Sequence, residues 1–337
     1  MALNAAALWD RALLCPTEKL VGRLAPSPTG AQHVGNARTY LLAWLSVRSR
    51  GGRVIVRMED IDSPRVKRGA AAEALVDLAW LGLDWDEGPD VGGPHAPYVQ
   101  TERRELYRAA LSRLQAAEMV YPCTCTRTDV AAAASAPHAG QEGPVYPGIC
   151  SSRNVADAAG LAAQGFAWRL RTGPKSRQFM DLVQGSIQGN VAAELGDFVV
   201  AKADGSPAYQ LAVVVDDHAM GVTEVVRGDD LVPSALRQLE LYEFFGWDAP
   251  QFAHVPLVIG PDGRRLAKRH GDTRLATLRE AGVRPERLVG LLAWSCGLLE
   301  NAEEIRAREL VAGFELGKLP REAWAFTDAH LRWLHVT

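Results

Sequence analysis

Between Leu20 and Leu81 the sequence switches twice from β-rich to helical patterning, and this alternation limits the fold more than any other feature. LVGRLA (20–25) reads as a strand, and Asn36 to Arg50 carries Tyr40, Leu41, Leu42, Trp44 and Leu45 at helical spacing. RVIVRMED (53–60) repeats the strand signal, and Gly69 to Leu81, rich in Ala and Leu, repeats the helix. This order predicts a parallel sheet with right-handed crossovers, an α/β fold of Rossmann type. The runs AYQLAVVVDD (208–217), VTEVVRGDD (222–230) and HVPLVIG (254–260) read as later strands of the same sheet. Pro233 to Gly246 reads as a helix with proline at its start and glycine past its end. Residues 121–165 differ in character, with alanine runs, scattered Pro and Gly and three of the five cysteines, and read as an insertion. Beyond about residue 275 the pattern is helical again through ERLVGLLAWSCGLL and ENAEEIRARELVAGF.

Composition narrows the class of function. With 337 residues, 47% apolar and 23% charged, the chain can bury a large core and does not match a disordered one. A net charge of -3 means that any basic footprint for nucleic acid is local. Asp10 and Arg11 interrupt the apolar start before it reaches the length of a secretion signal. No run of about 18 uncharged apolar residues predicts a membrane span. Five cysteines in a chain of this length do not suggest a disulfide framework, so a reducing cytoplasm is expected.

The first strand-to-helix junction, RLAPSPTGAQHVGNA (23–37), places His33 where a helix begins. In open α/β sheets ligands sit at the carboxyl ends of strands, where helix N-termini offer amides to anions. An imidazole there can hydrogen-bond a phosphate, although a single histidine is as simply read as a cap or surface residue. A second stretch, GPDGRRLAKRHGDTR (260–274), gathers Arg264, Arg265, Lys268 and Arg269 in a glycine-flanked loop. Such a loop can clamp the β- and γ-phosphates of ATP, or be a solvated basic turn.

Together the two stretches resemble the HIGH and KMSKS signatures of class I aminoacyl-tRNA synthetases, here His33-Val34-Gly35-Asn36 and Arg265-Leu266-Ala267-Lys268-Arg269. RLAPSPTG, VRMEDIDSPR (56–65), PAYQLAVVVDDHAMGVTEVVRGDDL (207–231) and LRQLELYEFFGW (236–247) are similar, in order, to glutamyl-tRNA synthetase sequence. The chain closes with FTDAHLRWLHVT, where a full synthetase continues into a helical anticodon-binding region. That shorter pattern resembles the glutamyl-Q tRNA(Asp) synthetase family.

The resemblance implies an enzyme that activates L-glutamate with ATP and Mg²⁺, without tRNA, and transfers it to queuosine at the wobble position of tRNA(Asp). It implies a monomer and an organisation in five parts. These are an extension (1–19), two halves of a catalytic domain (20–120 and 191–275), an inserted zinc-binding subdomain (121–190) and a C-terminal helical region (276–337). His33, Gly35 and Asn36 are expected on the ATP phosphates with Lys268 and Arg269, His33 and Lys268 being catalytic. Arg23, Ala25 and Ser27 line the glutamate pocket, Glu59 meets the α-ammonium, and Tyr209 and Arg227 hold carboxylates, with Arg23 assigned to the side-chain carboxylate. Each has a structural alternative: Glu59 as a surface acid at a strand end, Arg227 paired with Asp229 or Asp230.

Cys123, Cys125 and Cys150 with Tyr146 are similar to the family's structural zinc site, and the intervening His138 is the alternative fourth ligand. Arg265 and Ala267 replace a lysine and a serine usual in the KMSKS loop; arginine keeps the charge, whereas alanine removes a hydroxyl. A shortened glutamyl-tRNA synthetase acting on tRNA(Glu) and a non-catalytic relative are the competing functions.

Overall fold

The computed structural model describes residues 20–61, 66–133, 145–264, 266 and 272–335. In chain order its first elements are β1 (Val21–Leu24), α1 (Val34–Arg48), β2 (Arg53–Val56), α2 (Ala70–Trp80), α3 (Arg104–Ala116), β3 (Val120–Cys123) and α4 (Arg127–Ala133). The middle of the chain adds α5 (Ala158–Leu161), β4 (Ala167–Leu170), β5 (Arg177–Asp181), β6 (Gly185–Gly189), α6 (Val191–Glu194) and β7 (Phe198–Lys202). The rest holds α7 (Tyr209–Ala219), β8 (Glu224–Gly228), α8 (Val232–Phe245), β9 (Gln251–Val255), β10 (Val258–Ile259), α9 (Leu275–Glu280), α10 (Pro285–Ser295), β11 (Trp324–Ala325) and α11 (Asp328–His335).

The central sheet is parallel, in the order β2-β1-β8-β9, with Gly22 opposite Val54 and Val226 opposite Ala253. Both of its faces are covered, which is why its strands are continuous apolar runs rather than alternating ones. Val54 and Val56 point into one core, shared with α1, α2 and α10, while Ile55 points into the other, shared with α3, α7 and α8. The chain therefore has the parallel α/β architecture that its opening alternation predicts.

Between the strands of that sheet, β3, β4 and β7 form a three-stranded antiparallel sheet. The β5–β6 hairpin is separate and docks beside β9, where the Leu182 amide donates to the Phe252 carbonyl at 2.9 Å. Among the described residues no helix is long and apolar enough to cross a membrane.

Three segments differ from their sequence patterns. AYQLAVVVDD is not a strand but helix α7. Every residue from Leu211 to Asp217 is buried, so the helix shows no polar face and no 3.6-residue period, and its valines mimic a strand. HVPLVIG splits at Pro256: β9 joins the central sheet, but β10 pairs with β11 near the C-terminus. ENAEEIRARELVAGF holds only a 3₁₀ turn, Ala307–Leu310. This segment lies across α10, with the Glu303 carbonyl so close to Gly290 that a Cβ there would sit 1.5 Å from it. The Ile305 amide donates to the Glu286 carbonyl at 3.1 Å, so its backbone is satisfied by packing on α10 rather than by a helix of its own.

Candidate active site

His33 is the N-cap of α1, its backbone extended at φ −130°. Its Nδ1 accepts the Gly35 amide at 3.0 Å, and Asn36 Oδ1 accepts the His33 amide at 3.0 Å, closing a capping box. With Nδ1 accepting, the proton of the neutral ring sits on Nε2. A side chain at position 35 would come within 2.9 Å of the imidazole, so only glycine lets the ring fold over the helix start. The cap and cavity readings of His33 thus coincide in one side chain. The Gly35 amide, expected to face an anion, is already engaged by His33, and the Val34 amide donates to the Thr273 carbonyl at 3.0 Å. A bridge between His33 and Arg274, and a Leu275 amide donating to the Gln32 carbonyl, tie the end of the second signature loop to the first signature.

A cavity of about 380 Å³ opens where the end of β1, the start of α1 and the end of β8 meet. Arg23, Ala25, His33, Gly35, Asn36, Glu59, Tyr209 and Arg227 all line it. Ser27 does not: it is exposed, and its carbonyl accepts from Gln32 Nε2 at 3.2 Å. Lys268, Arg269, Arg265 and Ala267 lie outside the described residues, whereas Leu266 between them lines the cavity. Thr39 and Tyr40 also line it and were not picked from the sequence. Their signal was available, because Asn36, Thr39, Tyr40 and Ala43 share one helical face below His33.

The cavity's charges rest on a buried network. Arg57 has no exposed surface; it donates to Asp217 Oδ1 at 2.6 Å and to Glu59 Oε1 at 2.9 Å, with Asp216 3.7 Å from its Nε. Burial works against this guanidinium, but the surrounding carboxylates raise its pKa well above the ordinary value. Burial raises the Glu59 pKa in spite of Arg57 and Arg23, and lowers that of Arg23 in spite of Asp217. Arg23 is held by the Val226 carbonyl at 3.1 Å. Arg227 donates to His254 Nε2 at 3.1 Å, Gln238 Oε1 at 2.9 Å and the Leu231 carbonyl at 3.4 Å. Glu59 is therefore a cavity residue in a buried ion network, not a surface acid.

The second cluster lies at the end of β3. Sγ of Cys125 is 3.6 Å from Sγ of Cys150, and Tyr146 Oη lies 3.4 Å from Cys123 Sγ and 3.8 Å from Cys125 Sγ. All three sulfurs fall within 4.8 Å of one another. A tetrahedral Zn²⁺ with Zn–S bonds of about 2.3 Å separates its thiolates by about 3.8 Å, so the donor set fits this ion. Burial disfavours ionisation of Cys150, yet hydrogen bonds from the Thr124 backbone, Tyr146 and Cys125 bring it down to about 7. Burial and its contact with Cys150 push Cys125 up to about 11. His138 lies outside the described residues.

A nucleotide-type α/β sheet with a histidine-capped helix over a cavity of paired arginines and a glutamate defines a class I synthetase core. The family model described as tRNA synthetases class I (E and Q), catalytic domain, matches residues 19–333, and the chain belongs to that family of ligases. A curated relative named glutamyl-Q tRNA(Asp) synthetase, from Symbiobacterium thermophilum, is 53% identical over 306 residues, 90% of this chain and 94% of that protein. A relative from Syntrophus aciditrophicus named glutamate–tRNA ligase 2 is 40% identical, covering 93% of this chain and 65% of that protein. The crystal structure of glutamate-tRNA synthetase from Elizabethkingia anophelis superposes with a TM-score of 0.81 at 31% identity, over 94% of this chain and 70% of that one.

Proposed function

We propose that this chain activates L-glutamate with MgATP to glutamyl-adenylate and transfers the glutamyl group to queuosine at the wobble position of tRNA(Asp). The observation that carries the activation half is the meeting of Arg23, Arg227, Tyr209 and Glu59 in the cavity that His33 caps. Glutamate brings two carboxylates and one ammonium, and this wall offers the guanidiniums of Arg23 and Arg227 with the carboxylates of Glu59 and Asp230. Arg23 takes the side-chain carboxylate, Arg227 and Tyr209 hold carboxylate oxygens, and Glu59 takes the ammonium. Ala25 shapes the wall.

The reaction needs no protein nucleophile. A glutamate α-carboxylate oxygen attacks the α-phosphorus of ATP and pyrophosphate leaves; a hydroxyl of the queuosine cyclopentene ring then attacks the adenylate carbonyl and AMP leaves. His33 Nε2–H stabilises phosphate charge, Gly35 and Asn36 closing the cap that holds the imidazole in place, with Lys268 and Arg269 on the pyrophosphate side. Cys123, Cys125, Cys150 and Tyr146 hold one structural Zn²⁺ within the inserted segment 121–190. Reduced thiols at such a site support a cytoplasmic setting.

The acceptor is supported by the relatives. Four named glutamyl-Q tRNA(Asp) synthetase are 45–53% identical to this chain, against 38–40% for four named glutamate–tRNA ligase. The resemblance to the glutamyl-Q tRNA(Asp) synthetase family supports activation without tRNA. Pyrophosphate exchange with glutamate and ATP alone tests this: glutamate-dependent exchange is expected, and strict dependence on tRNA(Glu) would favour the shortened glutamyl-tRNA synthetase.

A further inference from the structure

Arg57 and Arg227 are both buried but are held by opposite kinds of partner. Arg57 lies among the carboxylates of Asp216, Asp217 and Glu59. The hydrogen bonds of Arg227 to His254, Gln238 and the Leu231 carbonyl all end on neutral acceptors, and its guanidinium lies 5.2 Å from the centre of the Phe252 ring. A guanidinium oriented by carboxylates spends its field on them, whereas one oriented by neutral acceptors keeps its charge for a bound anion.

His254 can accept from Arg227 only with Nε2 unprotonated. Its Nδ1 lies 2.6 Å from Asp181 Oδ2, and both side chains are fully buried. Asp181 Oδ1 also accepts the Val183 and Gln184 amides at 2.9 Å, and the His254 amide lies 3.1 Å from both carboxylate oxygens. Burial pushes Asp181 upward, but these hydrogen bonds outweigh it and hold the carboxyl below the usual range. Burial and then the neighbouring Arg227 lower the His254 pKa, outweighing the upward pull of Asp181 and of the Leu231 carbonyl, which also accepts from Arg227. A doubly protonated ring would set Nε2–H against the Arg227 Nε–H. Asp181 ends β5, so the docked hairpin reaches the sheet beneath the cavity.

We propose that Asp181 and His254 form a positioning dyad, in which the carboxylate fixes His254 as the Nδ1–H tautomer and the bare Nε2 aims Arg227 into the cavity with its charge left for a substrate carboxylate. The inference rests on the reading that Arg227 binds glutamate.

Steady-state pyrophosphate exchange on the full chain tests it. His254→Leu removes the acceptor and is expected to raise the glutamate KM about tenfold or more, while the ATP KM changes by less than about twofold. His254→Gln, whose Oε1 falls near the Nε2 position, restores most of the loss. Asp181→Asn raises the glutamate KM with histidine at 254 but adds little with glutamine there, because an amide has no tautomer to set; equal losses in both backgrounds would overturn the dyad. Arg227→Lys separates the two claims. If it leaves the glutamate KM unchanged, the reading of Arg227 itself fails; if it raises KM while His254→Leu does not, only the dyad fails. Should the variants not fold, ¹⁵N-histidine NMR of the unaltered chain decides. A neutral Nδ1–H ring at His254 supports the dyad, and a protonated or Nε2–H ring overturns it.

Discussion

Replacing His33 with alanine removes two things at once, the cap of α1 and an imidazole on the cavity wall. Loss of a cap costs about 1 kcal/mol of stability, and loss of one transition-state donor costs about 2.7–4 kcal/mol, roughly a hundred- to a thousand-fold in rate. His33→Ala is thus expected to melt only about 2–4 °C lower while its pyrophosphate exchange collapses, which calorimetry and exchange on one sample will check. Lys268→Ala should also lose exchange, and the double variant should lose less than the product of the two, as the proposed action of both on one triphosphate requires. Near-parental exchange in His33→Ala would leave the histidine a cap only. That His33, Glu59 and Arg227 share one cavity was legible through the family resemblance of the stretches that hold them. The groups that orient Arg227 were not. Asp181, Gln238 and His254 come from a hairpin, a helix and a strand, and no spacing rule links them before the fold does.

At the scale of elements, α2 and α9 meet through Asp77 and Arg279. Asp77 is buried with Oδ2 unpaired, and burial pushes its carboxyl up to about 6 although Arg279 pulls it down. The folded chain therefore holds a proton that the unfolded chain releases at a lower pH. This contribution to stability is full below about pH 4 and is lost as pH rises through about 6, a change of about 3 kcal/mol at most. Urea unfolding across this range should show that fall in the parent and not in Asp77→Asn; parallel curves would contradict it. The β3 end makes a second element-scale claim. Protein purified without chelator should carry about one zinc per chain, and Cys125→Ser should lose it, since a structural site closes only with all its ligands. Metal analysis that finds none refutes the assignment. The alternation from 20 to 81 and the helix from Pro233 were readable because each has a polar side or a punctuating residue. α7 was not: α1 is buried from Tyr40 to Val47 as well, but its leucines and alanine are helix formers, whereas the buried stretch of α7 centres on the β-branched Val213, Val214 and Val215.

At the scale of the whole molecule, the parallel sheet, its two cores and the matched family support glutamate activation and ligation to tRNA. The same catalytic core occurs in relatives named for glutamate–tRNA ligation, so fold alone does not choose the acceptor. The most direct measurement is transfer of radiolabelled glutamate, with ATP, to three RNAs side by side: queuosine-containing tRNA(Asp), queuosine-free tRNA(Asp) and tRNA(Glu). Label is expected on the queuosine-containing tRNA(Asp) alone. Equal labelling of the two forms of tRNA(Asp), or labelling of tRNA(Glu) instead, would contradict the account.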